Sequence, residues 1–262
     1  MTIAGSDSGG GAGIVADLKT FEAHGVWGTT AIVAVTAQNT LGVQAFETLP
    51  ATLVRQQIES VASDIGVDAV KTGMLASAAL VTAVADAVRA AGIERLVVDP
   101  VFVSKHGDTL LADDAVDALR TALLPLATVV TPNLPEASRL VGFEVGDREG
   151  MEGAARALAG MGVDVALVKG GHLDDGAASP DCLYAQGADA PVWIEGARIP
   201  GRHTHGTGCV LSAAITAELA KGMDPADACV AAKRFVEKAI AGGLEIGRGV
   251  GPVNPGWERT TG

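Results

Sequence analysis

The run His203-Thr-His-Gly-Thr-Gly-Cys209 places two histidines, two threonines, two glycines and a thiol in seven consecutive positions. The apolar, Ala-rich stretch Val210–Ala220 follows at once, so the glycines stand at the entrance of a helix. Unpaired N–H groups and the positive end of the dipole make such an entrance an anion hole, suited to the charge that develops on a transferring phosphoryl group. Gly206, Thr207, Gly208 and Cys209 are the candidate catalytic residues. A thiol at a helix N-terminus has a lowered pKa, so Cys209 is expected to be partly thiolate near neutrality and to accept the proton of a substrate hydroxyl. The competing reading is a Gly-rich turn that only starts a helix, with Cys209 as one more small buried residue.

Other polar residues cluster where short apolar runs end. Asp99 closes Leu96–Asp99, and Thr131-Pro-Asn-Leu-Pro-Glu136 closes Thr128–Thr131. Carboxylates at strand ends suit Mg2+, which keeps several waters and bridges nucleotide phosphates. Asn133 and Glu136 also have the spacing of a helix capping box, and the two readings are compatible. Lys169 ends Val165–Lys169 with no acidic neighbour in sequence, so it is expected to face a ligand or solvent. Gln38 follows the run Ala31–Ala37; its carboxamide can pair bidentately with a ring nitrogen and a neighbouring exocyclic amine, as it does with an adenine edge, or be satisfied by nearby loop backbone. Met74, in Lys71-Thr-Gly-Met-Leu75, offers adaptable apolar contact to a ring or fills core space.

The glycine-rich segment Ala4–Gly13 lies between a strand and a helix, as a dinucleotide-binding loop does. No acidic residue stands at the end of the next strand to hold a ribose, because Ala31–Ala37 runs into Gln38, and the dinucleotide reading is disfavoured. Asp17, in the first turn of the helix that follows, reads by itself as a solvated carboxylate favoured by the dipole.

These residues need a frame, and the alternation of apolar runs with Ala-rich helical segments supplies one: a mostly parallel sheet covered by helices. Strands are expected at Thr2–Ala4, Ala31–Ala37, Ala69–Thr72, Leu96–Asp99, Thr128–Thr131 and Val165–Lys169. Cys182–Tyr184 and Val192–Glu195 form a small edge hairpin within the looser stretch Gly171–Gly201. Helices are expected over Gly13–Ala23, Ala51–Asp64, Ala79–Ala91, Asp113–Leu123, Leu134–Leu140, Arg148–Met161, Gly208–Lys221 and Pro225–Gly242. The 262 residues, 48% hydrophobic and 3% aromatic, are enough for one large core, and residues 1–262 are read as a single domain.

Nineteen basic against thirty-one acidic residues give a net charge of −12, which opposes extended contact with nucleic acid or an anionic membrane. An acidic protein that handles ATP must build a local positive site from amides, lysines and a metal ion. Three widely spaced cysteines make no disulfide framework, and no signal peptide or membrane span is read, so a cytoplasmic location is expected.

The motifs HTHGTGC, GSDSGGGAGI-ADLKT, AQNT, KTGML, the Asp99–Asp108 segment, the NLPE of Asn133–Glu136 and GRGVGPVN resemble, in order, those of the hydroxymethylpyrimidine/phosphomethylpyrimidine kinases. These are ribokinase-like enzymes of thiamin biosynthesis. The resemblance runs from Thr2 to Asn254, with departures at Val15, where many relatives have Gln, and at His106, where a small residue is common. It implies a ribokinase-like three-layer α/β/α sandwich. The implied reaction is ATP-dependent, Mg2+-assisted phosphorylation of 4-amino-5-hydroxymethyl-2-methylpyrimidine and then of its monophosphate. Gly5, Asp17, Gln38 and Met74 would line the pyrimidine pocket, Lys169 and Thr207 would hold ATP, Asp99 and Glu136 the metal, and Cys209 would be the base. A homodimer is implied as well. Pyridoxal kinase, of the same fold, and a non-catalytic pyrimidine-binding protein are the alternatives.

Overall fold

Strands such as Val165–Val168 and Leu96–Val98 are apolar and buried at every position, as required of strands covered on both faces. A computed structural model describes residues 1–102, 114–173 and 176–260. Lys105 and His106 lie outside the described residues.

The strands β1 (Thr2–Ala4), β2 (Thr30–Ile32), β5 (Val70–Thr72), β6 (Leu96–Val98), β7 (Val129–Val130) and β8 (Val165–Val168) form the parallel part of an eight-stranded sheet. Its order is β10-β9-β8-β7-β6-β5-β1-β2, completed by the hairpin β9 (Asp181–Ala185) and β10 (Val192–Ile194). β9 runs antiparallel to β8 and β10 antiparallel to β9, which is the expected edge hairpin. β1 lies between β2 and β5, so the chain leaves it in opposite directions on its two sides, and ligands in such sheets bind beyond the carboxyl ends at that switch point.

Helices α2 (Ala51–Asp64), α3 (Ala78–Ala90), α4 (Asp114–Ala118), α5 (Leu134–Val141) and α6 (Arg148–Ala159) share one core cluster with the sheet. On the opposite face α7 (Thr207–Ala220) and α8 (Pro225–Ala241) pack in a second cluster, which α1 (Gly13–Ala23) joins through Ala16. Helix α7 is buried at every position from Val210 to Leu219 because sheet, α1 and α8 surround it. The result is the expected three-layer sandwich.

The expected strand Ala31–Ala37 is two strands. β2 stays in the main sheet, whereas β3 (Ala34–Asn39) pairs antiparallel with β4 (Gly42–Thr48) in a separate ribbon. The break is at Val33, whose N–H donates to Ala4 O and whose carbonyl accepts from Leu49 N–H. β4 was not expected, because most of it is exposed and it lacks an apolar core face. The helix expected over Asp113–Leu123 is α4 followed by a wider turn at Leu119–Leu123.

Candidate functional site

A cavity of about 950 Å³ opens at the carboxyl ends of β1, β5, β6 and β8. Gly5, Gln38, Met74, Asp99, Glu136, Lys169 and the whole run Gly206–Cys209 line it together. Asp17 does not.

The start of α7 forms one wall. Gly206 precedes it with φ +82°, and a Cβ there would collide with the carbonyl oxygen of Gly11, so only glycine lets the two loops meet. No side chain caps α7, Thr207 N–H turns back to Thr204 O at 3.4 Å, and the residues of the first turn line the cavity. The C-terminal run GRGVGPVN is the brace behind it. Gly251 O accepts from His205 N–H, Val253 N–H donates to His205 O, and Gly251 N–H donates to His203 Nδ1.

Cys209 sits at this entrance, yet the expected thiolate is not what the surroundings favour. Burial pushes its thiol up to about 12, with Asp17 and Asp99 acting in the same sense and Lys71 and the Gly13 amide only partly opposing. The local argument from the helix terminus is outweighed by desolvation and by two carboxylates brought in from β6 and α1. These surroundings favour the protonated thiol.

The second wall is a charged network. Lys169 Nζ lies 3.2 Å from Asp99 Oδ1 and 3.9 Å from Glu136 Oε2, so the lysine that lacks an acidic neighbour in sequence has two in space. Asp99 also accepts from the hydroxyls of Thr131 and Ser212, both at 3.2 Å. Burial raises the Asp99 carboxyl, but Lys169 and Lys71 outweigh it and hold the group below the usual carboxylate range. Glu136 completes the expected capping box, accepting from Asn133 N–H at 2.8 Å while its own N–H donates to Asn133 Oδ1 at 2.9 Å. Burial pushes Glu136 up to about 7, helped by Asp99 and opposed by Lys169. Two carboxylates around one ammonium are short of positive charge. Among the described residues no group of three His, Cys, Asp or Glu could hold a metal by itself, so a cation here would need phosphate or water as further ligands.

The third wall combines Gly5, Met74 and Gln38. A Cβ on Gly5 would meet Met74 Cε at 2.5 Å, so the glycine leaves room for the methionine tip. Gln38 stands at a bulge near the end of β3, with its Nε2 at 3.4 Å from His205 Nε2. Asp17 departs from both sequence readings: it is neither solvated nor on the cavity wall. Its Oδ1 accepts from Lys71 Nζ at 2.9 Å and its Oδ2 from Thr2 Oγ1 at 2.6 Å, with no exposed surface. Burial disfavours charge on Lys71, but the negative groups around it, Asp17 foremost and Asp99 with it, together outweigh that burial and hold the ammonium above the ordinary lysine range. Lys71 in turn reaches the cavity.

With this geometry in place, comparison with known proteins is direct. A phosphomethylpyrimidine kinase family model matches residues 7–254. The chain belongs to that family. It is 51% identical over 258 residues to the hydroxymethylpyrimidine/phosphomethylpyrimidine kinase of Streptomyces coelicolor, covering 98% of this chain and 94% of the relative. The Bacillus subtilis protein of the same description is 44% identical over 256 residues, covering 97% and 93%. Among solved structures, an ADP complex of Bacillus subtilis pyridoxal kinase superposes with a TM-score of 0.91 at 38% identity, covering 98% of this chain and 97% of that one. A phosphomethylpyrimidine kinase from Clostridium difficile gives a TM-score of 0.80 at 39% identity, covering 91% and 97%. The fold is therefore ribokinase-like, as expected.

Within this phosphomethylpyrimidine kinase framework, sequence reasoning missed Asp7, His205, Lys71 and Ser212 as parts of the site. Asp7 accepts from the N–H groups of Gly9, Gly11 and Ala12 and from His205, which folds the glycine-rich loop around one carboxylate. The side-chain amide of Gln38 then meets that histidine. A local signal existed for Asp7, since an aspartate followed by glycines is an Asx-turn pattern. Its partner is 198 residues away and had none.

Proposed function

We propose that the protein transfers the γ-phosphoryl group of ATP to the hydroxymethyl group of 4-amino-5-hydroxymethyl-2-methylpyrimidine, and then to the monophosphate, for thiamin biosynthesis. The observation that carries this reading is the meeting of two unlike subsites in one cavity. One is the open start of α7 beside Lys169 and Asp99; the other is the small apolar and amide pocket of Gly5, Met74 and Gln38. Cys209 lies where they join.

On this reading the phosphates rest on the Gly206–Cys209 amides and Lys169, with Thr207 beside them, and the apolar strip Ile199, Leu211, Val236 and Ile240 faces the nucleotide base. Asp99 and Glu136 fit Mg2+: both offer hard oxygen donors, and Glu136 lacks enough positive charge to be fully ionised. When bound, the ion neutralises phosphate charge. Lys169 then orients the transferred group, Gln38 and Met74 hold the ring, and Cys209 accepts the hydroxyl proton only as the thiolate, after its own proton has passed to solvent as the negative charge around it is neutralised. Asp17 acts behind Lys71 rather than on the substrate.

The similarity to pyridoxal kinases, including one from Staphylococcus aureus solved in complex with pyridoxal, keeps pyridoxal as the second candidate substrate. The curated relatives at 44–51% identity favour the pyrimidine. Calorimetry decides: Lys169→Ala should weaken ATP far more than the pyrimidine, and Gln38→Ala the pyrimidine far more than ATP. Equal losses of both ligands in both variants would refute two subsites.

The protein is further proposed to be a cytoplasmic homodimer. Val35 and Phe46, on opposite faces of the β3–β4 ribbon, and Leu41 in its turn are exposed large apolar side chains that a second copy packing around the ribbon would cover. No described helix is long and apolar enough to cross a membrane. A monomer in sedimentation at micromolar concentration would reject the dimer.

A further inference from the structure

Asp7 and His205 are both buried, at 2% and 6% exposure, and they face Gln38 from the glycine-rich loop and from the approach to α7. Asp7 Oδ1 accepts from Gly9 N–H at 2.8 Å, and its Oδ2 from Gly11 N–H at 3.1 Å and Ala12 N–H at 2.9 Å. Backbone amides only donate, so Asp7 is an acceptor on both oxygens. His205 Nε2 reaches the same Oδ2 at 2.8 Å and therefore carries a hydrogen and donates it. An imidazole nitrogen that carries a hydrogen has no lone pair in the ring plane. It cannot also accept from the Gln38 amide group 3.4 Å away.

The contact is favourable only with the carboxamide turned by half, so that Gln38 Oε1 becomes a second, longer acceptor of the N–H that His205 gives chiefly to Asp7 Oδ2. We infer that His205, anchored by Asp7, selects the orientation of Gln38 in which its NH2 group faces the cavity, so that Gln38 reads a hydrogen-bond acceptor on the substrate ring. This rests on the proposed pyrimidine site and deepens it. His205 and Asp7 are positioning residues: they act on the substrate through Gln38. A ring nitrogen meets the requirement, and a ring N–H or C–H at that place does not.

The orientation is measurable without substrate. In protein labelled with 15N-histidine, His205 should show a protonated Nε2, its signals assigned by their loss in the His205→Gln variant. An unprotonated Nε2 overturns the inference, since Gln38 would then donate to His205 and present its oxygen to the cavity. Ligand binding gives the second readout. The Gln38→Glu variant keeps an acceptor for His205 but has no NH2, so pyrimidine affinity should fall about tenfold or more, as in Gln38→Met. Retained affinity in Gln38→Glu with loss in Gln38→Met overturns the inference. His205→Leu should raise KM for the pyrimidine more than it lowers kcat, with partial return in His205→Gln, whose amide can still donate to Asp7. An equal fall in stability and activity for both His205 variants would mark the residue as purely structural. Failure of the wild-type protein to bind the pyrimidine would sink the proposed function, and the His205 protonation state would still decide this inference.

Discussion

Lys71 Nζ and Asp17 Oδ1 are 2.9 Å apart, and neither side chain has any exposed surface. The pair ties β5 to α1 beneath Cys209 and leaves the lysine at the cavity floor. Removing one partner strands a charge in the interior. Asp17→Ala should cost ~3–5 kcal/mol of folding stability, while the double variant Asp17→Leu/Lys71→Met should recover most of it. Urea denaturation of the singles and the double measures this. Additive losses would mean that the two charges do not sustain one another. If the double variant folds but turns over slowly, the Lys71 charge also serves the chemistry at Cys209.

Glu136 supplies a pH dependence with a definite sign. Burial raises its carboxyl to about 7, so without a metal it is about half protonated at neutral pH. Mg2+ favours the carboxylate, and binding must release a proton below that pH. The apparent affinity for Mg-ATP should therefore rise from pH 6 to pH 8 and then level. Glu136→Gln should bind Mg-ATP more weakly and without that slope, as titration calorimetry in buffers of different ionisation enthalpy would show. The same slope in the variant would assign it elsewhere.

Cys209 is partly exposed, whereas Cys182 and Cys229 are buried. With its thiol pushed up to about 12, alkylation of the native protein should be slow at pH 7 and accelerate steadily into the alkaline range. Cys209 should be the residue modified, and the pyrimidine should protect it. Cys209→Ala should lower kcat more than it weakens ATP, yet by less than loss of Lys169 does, because phosphoryl transfer depends mainly on positioning and charge neutralisation. Fast alkylation at pH 7 would restore the thiolate reading.

What was legible in the sequence was what short range determines. Gly13–Ala23 and Ala51–Asp64 are helices with the expected bounds, because periodicity and flanking breakers act within a few residues. The glycine turn that opens the helix at Thr207 was legible for the same reason. What was not legible came from far along the chain. Asp17 looked solvated until β1 and β5 brought Thr2 and Lys71 to it, and Lys169 looked unpaired until Asp99 arrived from 70 residues upstream. The acidity expected of Cys209 followed from its helix terminus alone, whereas burial and two distant carboxylates push its thiol the other way.

The central claim is tested most directly by coupled ADP release, measured with hydroxymethylpyrimidine and pyridoxal side by side at saturating Mg-ATP. The account predicts Mg2+-dependent turnover with a higher kcat/KM for the pyrimidine, and a second equivalent of ADP as the monophosphate is phosphorylated in turn. Preference for pyridoxal, or pyrimidine binding without ADP release, would contradict it.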